Sequence, residues 1–168
     1  MRVITLPDYD VRKYKPPENV YGLLAAPPCT QFSILKNAQG GGNFREGMEI
    51  VKACFEIIWE CRISGSLKFW ALENPHGYLR HFLGTAPLTF SPCDFGDPYT
   101  KQTDIWGYFK EPKKNAVKPL FTRFAKFNEK AYQQEVPKSY VLPGIQKRTI
   151  RRSMTPQGFA RAFFEANH

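Results

Sequence analysis

Hydrophobic positions along this chain fall into blocks of two kinds. Residues 20–25 (Val-Tyr-Gly-Leu-Leu-Ala) and 68–72 (Lys-Phe-Trp-Ala-Leu) are short apolar runs, each followed closely by a proline-bearing polar segment, and they predict two buried strands. Between them Met48, Val51, Phe55, Ile58 and Cys61 recur at helical spacing, predicting an amphipathic helix over 44–62. Strand, helix, strand is a βαβ unit, in which parallel neighbours bring their carboxyl ends to one edge of the sheet. The region 1–17 reads as a short strand and a charged loop, and 78–83 as a short helical turn. Residues 88–91 and 103–108 read as a hairpin that closes the sheet. Thr155-Pro156 opens a last helix running toward Ala166, with the threonine as cap and the proline at the first position. The fold class is α/β.

Two motifs sit at that shared edge. Ala26-Pro27-Pro28-Cys29 follows the first strand and Glu73-Asn74-Pro75 ends the second. A thiolate is a strong nucleophile, although only a few per cent is ionised at neutral pH when its pKa is about 8.5. Two prolines hold the backbone entering Cys29 extended, and residues 30–33 form a polar turn around the sulfur. A carboxyl group opposite is useful when burial keeps it protonated and able to donate. Asn74 and Pro75 then fix the strand end and supply a polar contact. The plainer alternative makes Cys29 a small buried hydrophobe and Glu73 a surface carboxylate; the paired motifs one βα unit apart argue against it.

These residues carry a resemblance. Pro27-Pro28-Cys29-Thr30-Gln31-Phe32-Ser33 resembles the Pro-Cys loop of DNA cytosine-5 methyltransferases, and Glu73-Asn74-Pro75 resembles their Glu-Asn-Val or Glu-Asn-Pro motif. Residues 95–103 (Phe-Gly-Asp-Pro-Tyr-Thr-Lys-Gln-Thr) resemble the family's Tyr-Gly-x-Pro-Gln-x-Arg-x-Arg strand, with Lys101 and Thr103 at the arginine positions. Arg152-Ser153-Met154-Thr155-Pro156 resembles the Arg-x-x-Thr-Pro element that follows target recognition. All four occur in the family's order, in the manner of phage or prophage-borne members associated with restriction-modification. The resemblance implies that Cys29 attacks C6 of a cytosine swung out of the duplex, while Glu73 holds N3 and the exocyclic amine. C5 then takes a methyl group from S-adenosylmethionine. Extruding the base costs a few kcal/mol and is needed because the target atom is unreachable inside the stack. The same resemblance places Pro28, Ser33, Asn74, Lys101 and Thr103 around the nucleotide, and Pro27 and Asp10 beside the cofactor. A hydroxyl at Thr103 does not replace an arginine fork.

The family's Phe-x-Gly-x-Gly cofactor loop, and the acidic residue that follows it, have no counterpart before the first strand. Gly40-Gly41-Gly42 comes after the cysteine, in a polar stretch (36–43) that reads as a mobile loop over the site. The expectation is therefore a truncated, Rossmann-like S-adenosylmethionine-dependent methyltransferase sheet. Its cofactor half would come from a complementary chain, from a longer parent protein, or not at all. In the last case the chain is a DNA-binding remnant or pseudoenzyme. An exposed apolar sheet edge would favour such a partner or a homodimer. A cysteine hydrolase is disfavoured because no histidine stands at a recognisable spacing from Cys29, His76 and His81 reading as surface or helix-end residues. An amino-methyltransferase is disfavoured because its site needs no cysteine.

Charge adds a nucleic-acid partner. The chain carries 24 Lys and Arg against 15 Asp and Glu, a net +9, and all of the excess lies in 110–152. That stretch is interleaved with aromatics and broken by prolines, the look of a DNA-contacting insertion. It holds Lys113, Lys114, Lys118, Arg123, Lys126, Arg151 and Arg152 as candidate DNA contacts. The organisation read from the sequence is a partial catalytic core (1–109), a short basic target-recognition-like segment (110–152) and a C-terminal helix returning to the core (153–168). Cys54, Cys61 and Cys93 read as core thiols in a reducing cytoplasm. No metal site is expected because no Cys-x-x-Cys pair occurs, and the longest apolar runs fall short of a membrane span.

Overall fold

A computed structural model describes residues 10–115 and 154–168. The chain divides into two compact units. One is Met1–Thr89 with Thr103–Phe109, and the other is Phe90–Gln102 with Lys110–His168. In chain order the elements are β1 (Gly22–Ala25), a 3-10 turn (Cys29–Phe32), α1 (Ile34–Ala38), α2 (Phe44–Ile63) and β2 (Phe69–Pro75). There follow α3 (Arg80–Leu83), β3 (Leu88–Phe90), a second 3-10 turn (Pro92–Phe95), β4 (Thr103–Tyr108) and α4 (Gln157–Asn167).

The expected βαβ unit is present. β1 pairs in parallel with β2, with Ala25 opposite Leu72, and α2 is the crossover. Antiparallel β4 lies on the far side of β2 and β3 beyond it, giving a mixed four-stranded sheet of order β1-β2-β4-β3. β3 and β4 are neighbours, as the hairpin reading requires. Gly107 stands opposite Ala71 where the two strands close tightly: a Cβ there would lie 2.2 Å from the Trp70 carbonyl oxygen. β1 is an edge strand among the described residues, and Leu24 on it is 63% exposed.

The core of the first unit forms where α2 covers one sheet face. Val51 and Cys54 of α2 meet Leu72 and Trp106 from the strands, with Phe32, Leu79 and Ala86 closing the cluster. A second cluster joins Ile58, Cys61 and Leu67. The helical periodicity of 44–62 thus reports a real buried stripe. The Asn43 side chain caps its first turn, accepting from the Glu46 amide at 3.2 Å. Among the described residues no helix is long and apolar enough to cross a membrane.

In the second unit Phe159 of α4 stacks on Phe90 with ring centroids 4.0 Å apart and meets Phe95 edge-on. Asn167 grips the backbone of Lys110 at both its N–H and its carbonyl, at 2.7 and 3.0 Å. Thr155 does not cap α4. Pro156 holds the cap position and offers no side-chain acceptor, and the Asp97 carboxylate instead accepts the Gly158 amide at 3.1 Å. Burial raises the Asp97 pKa against the pull of that hydrogen bond. The expected turn after Cys29 is present as the 3-10 turn, and a second correction concerns 36–38, where the start of the expected loop belongs to α1. Ser33 caps α1 through the Lys36 amide at 3.5 Å, and the Asn37 side chain donates to the carbonyls of Gln31 and Ser33, both at 2.9 Å.

Leu72 is fully buried, so Leu72→Ala is expected to lower stability by about 2–5 kcal/mol in urea unfolding. Leu24→Ala on the exposed edge should change it by about 0.5 kcal/mol or less. Burial also pushes the Cys54 thiol up to about 11 from 9.0. The folded chain then keeps a proton that the unfolded chain releases, so stability is full below the unfolded value and falls as pH rises from about 9 to 11. Unfolding midpoints measured across that range should drop, and less steeply in Cys54→Ala.

Candidate functional site at the carboxyl edge of the parallel strands

The register fixes where the two motifs lie. With Ala25 opposite Leu72, Glu73 stands one residue past the last parallel pair, and Cys29 leads the 3-10 turn four residues beyond β1. The two loops are joined by named contacts. The Asn74 side-chain amide, fully buried, donates to the Pro27 carbonyl at 2.9 Å. The Tyr78 amide donates to the Phe32 carbonyl at 2.9 Å. Gly77 makes this approach possible, since a Cβ there would lie 2.4 Å from the Phe32 oxygen. The cysteine loop is thus fastened at Pro27 to the end of β2 and at Phe32 to the segment that follows it.

A third anchor holds the loop from the other side. The Gln31 side chain donates to Glu46 at 2.9 Å and accepts from the Asn43 amide and Lys36 Nζ, each at 3.0 Å. One glutamine therefore ties the 3-10 turn to α1 and to the start of α2. Cys29 itself is exposed, whereas Cys54, Cys61 and Cys93 are buried, and none of the four is in a disulfide. Exposure removes the reading of Cys29 as a core hydrophobe. Pro28 is exposed, Pro27 buried and Ser33 half-buried with its hydroxyl committed to α1.

Glu73 is half-buried opposite Ile105 on β4. Strand alternation sends its side chain to the face opposite Leu72 and Asn74. Asn74 keeps one atom in reserve: its Oδ1 is buried with no hydrogen-bond partner among the described residues. A buried acceptor left unpaired costs about 1–3 kcal/mol.

Next to this edge lies a charged cluster that the sequence reading missed. Asp104 of β4, opposite Asn74, is fully buried. Its Oδ1 accepts from the Thr89 hydroxyl at 2.6 Å. His76 Nδ1 and Arg80 Nε each lie 3.2 Å from its Oδ2. Oδ2 and Arg80 Nε are left without a hydrogen bond, while His76 Nδ1 lies within hydrogen-bond reach of the other oxygen, Oδ1, at 3.5 Å. The available signal was an acid inside an apolar strand, which must find a cation to be buried at all. His76 is therefore held against a buried carboxylate rather than being a simple surface residue, while His81 is exposed.

The remaining expected site residues fall elsewhere. Thr103 is buried opposite Pro75, and Lys101 is half-buried in the second unit. Both oxygens of Asp10 are taken by Arg12 at 2.6–3.1 Å, and this pairing holds the Asp10 pKa down to about 2. Lys113 is exposed, and Lys114 Nζ lies 3.2 Å from Asp94 Oδ2. Lys118, Arg123, Lys126, Arg151 and Arg152 lie outside the described residues. Gly40 of the glycine triplet has φ +72° just past α1. Among the described residues no group of three or more His, Cys, Asp or Glu is placed to hold a metal. No protein-family model matches this chain, and no curated protein matches it.

Asn74→Ala removes the donor and leaves the Pro27 carbonyl unpaired. The expected loss is about 1–3 kcal/mol in urea unfolding, with faster hydrogen exchange at the Tyr78 amide as the two loops part. An unchanged Tyr78 amide would mean that Asn74 does not hold the loops together.

Proposed function

We propose that this chain carries the base-activating half of a DNA cytosine-5 methyltransferase. The observation that carries the reading is the bond from Asn74 to Pro27, which couples an exposed cysteine loop to the Glu-Asn-Pro strand end at one edge of a parallel pair. In this reading the Cys29 thiolate forms a bond from Sγ to C6 of an extruded cytosine, and the C5–C6 π pair moves onto C5 and the ring. Glu73 holds N3 and the exocyclic amine, which lets the ring accept that charge. Expelling the thiolate restores the double bond after C5 has exchanged its hydrogen. The basic stretch 110–152 supplies sequence-independent attraction to phosphates.

The methyl donor implied by the resemblance is S-adenosylmethionine, and the described residues do not fit it. The Asp10 carboxylate is occupied by Arg12, the Pro27 carbonyl by Asn74, and the glycine triplet follows a five-residue helix instead of a strand. No transfer step is therefore assigned to this chain's own residues. We assign donor binding to a complementary segment carrying a glycine-rich loop. The same misfit favours a second reading, a DNA-binding remnant that no longer methylates.

Donor-independent chemistry separates the two. Addition of Cys29 to C6 makes C5 basic, so tritium at C5 of cytosine in duplex DNA should exchange with water without any methyl donor. Cys29→Ser should abolish the release, and Glu73→Gln should slow it by about 10²–10⁴. Duplex binding with no Cys29-dependent release, even after a glycine-rich partner is supplied, would establish the remnant and end the enzymatic reading.

A further inference from the structure

We propose that the depression beside α3 is a phosphate-binding site anchored by Arg80. It is an open surface depression of about 460 Å³, the scale of a nucleotide, and its lining includes His76, Tyr78, Arg80, His81 and Thr85. Every ionisable side chain in the lining is basic or phenolic, and no carboxylate faces it. The nearby acid, Asp104, lies fully buried behind the lining and acts on it only through its partners.

That arrangement orients the donors. Arg80 turns a buried Nε toward Asp104 Oδ2 at 3.2 Å without forming a hydrogen bond there. His76, which also lines the depression, turns Nδ1 toward the same carboxylate and keeps Nε2 as its second ring nitrogen. The carboxylate thus fixes one end of each cationic group and cannot itself repel an incoming anion at contact distance. A guanidinium drawn toward a carboxylate on its Nε side has two further nitrogens, the fork that suits two phosphate oxygens. Tyr78 and Thr85 add hydroxyl groups to the lining. His81 packs on Tyr78 at 5.5 Å and 34°, giving a ring surface beside the donors against which a sugar or base can lie.

The phosphate can belong to a nucleic-acid backbone or to a free nucleotide. Assigning it to the backbone rests on the DNA reading above, whereas the phosphate site itself does not. The test titrates inorganic phosphate into the full chain while following the Arg80, His76 and His81 side-chain signals by NMR, with no DNA or methyl donor present. Saturable shifts confined to these residues are expected. Arg80→Lys keeps a cation against Asp104 but loses the fork, and should weaken phosphate binding by about tenfold. Because Arg80 supports a buried acid, His81→Gln at an exposed position serves as the second variant and should also weaken binding. In duplex anisotropy, Arg80→Lys should lower affinity and make the log–log salt slope shallower by about one. Loss of phosphate binding with unchanged duplex binding and slope supports the site and assigns it to a free nucleotide. Phosphate shifts spread over surface lysines, or folded Arg80→Lys and His81→Gln that bind phosphate like the parent, would overturn it. Failure here leaves cytosine activation standing, and failure of tritium release leaves the phosphate site standing.

Discussion

A single amide, Asn74 Nδ2 on the Pro27 carbonyl, is the constraint from which the rest of the candidate site follows. The carbonyl belongs to a proline-rich loop that has no ladder partner of its own at that point, and a buried carbonyl needs a donor. A side chain supplies it from the neighbouring parallel strand, 47 residues away in sequence. The loop after β1 therefore cannot move without disturbing the end of β2. Gly77 and the Tyr78 amide repeat the coupling at Phe32, and Gln31 extends it to α1 and α2. An exposed cysteine on an irregular turn becomes, through these bonds, a fixed point of the sheet edge.

The price of that rigidity appears in the buried polar atoms around it. Asn74 Oδ1 has no partner among the described residues, and the Asp104 carboxyl group is fully buried. A buried ion pair is weak support for stability because desolvation offsets the attraction between partners. Retaining an acid in β4 therefore argues for orientation as its role: Asp104 sets His76 and Arg80, which sit half-exposed at the surface of the depression. Buried polar groups with incomplete pairing concentrate where a structure trades stability for a site.

Much of the first unit could be read from the chain because its elements follow local rules. The apolar runs became β1 and β2, and the helical stripe became α2 with Val51, Cys54, Ile58 and Cys61 buried. The parallel pairing followed from the strand-helix-strand order, and Asn74 was expected to make a polar contact at the strand end. The failures share one cause: they depend on partners distant in sequence. Asp97 caps α4 in place of Thr155, Gln31 organises three elements, and Asp104 draws in His76 and Arg80. No local pattern encodes those pairings, although an acid within an apolar strand announces that one must exist. The resemblance carried cofactor residues onto Asp10 and Pro27, and both are engaged within the chain itself.

Taken together, residues 73–81 do several jobs on nine positions: an acid at the strand end, the tether at Asn74, the close approach at Gly77, and the two groups oriented by Asp104. In the proposed reading, the base-holding acid and the phosphate anchor share one short segment, and that segment is bonded to the nucleophile's loop. Backbone attraction and base activation would then be set by the same piece of chain, seven residues apart from Glu73 to Arg80. A helix begins at Arg80 and a β-ladder ends at Pro75, so only four residues between them are free of regular structure. Two of those four, Gly77 and Tyr78, are held against Phe32. Little freedom remains for the phosphate contact to shift without moving the acid, and a nucleotide gripped at Arg80 would be positioned by the same backbone that presents Glu73.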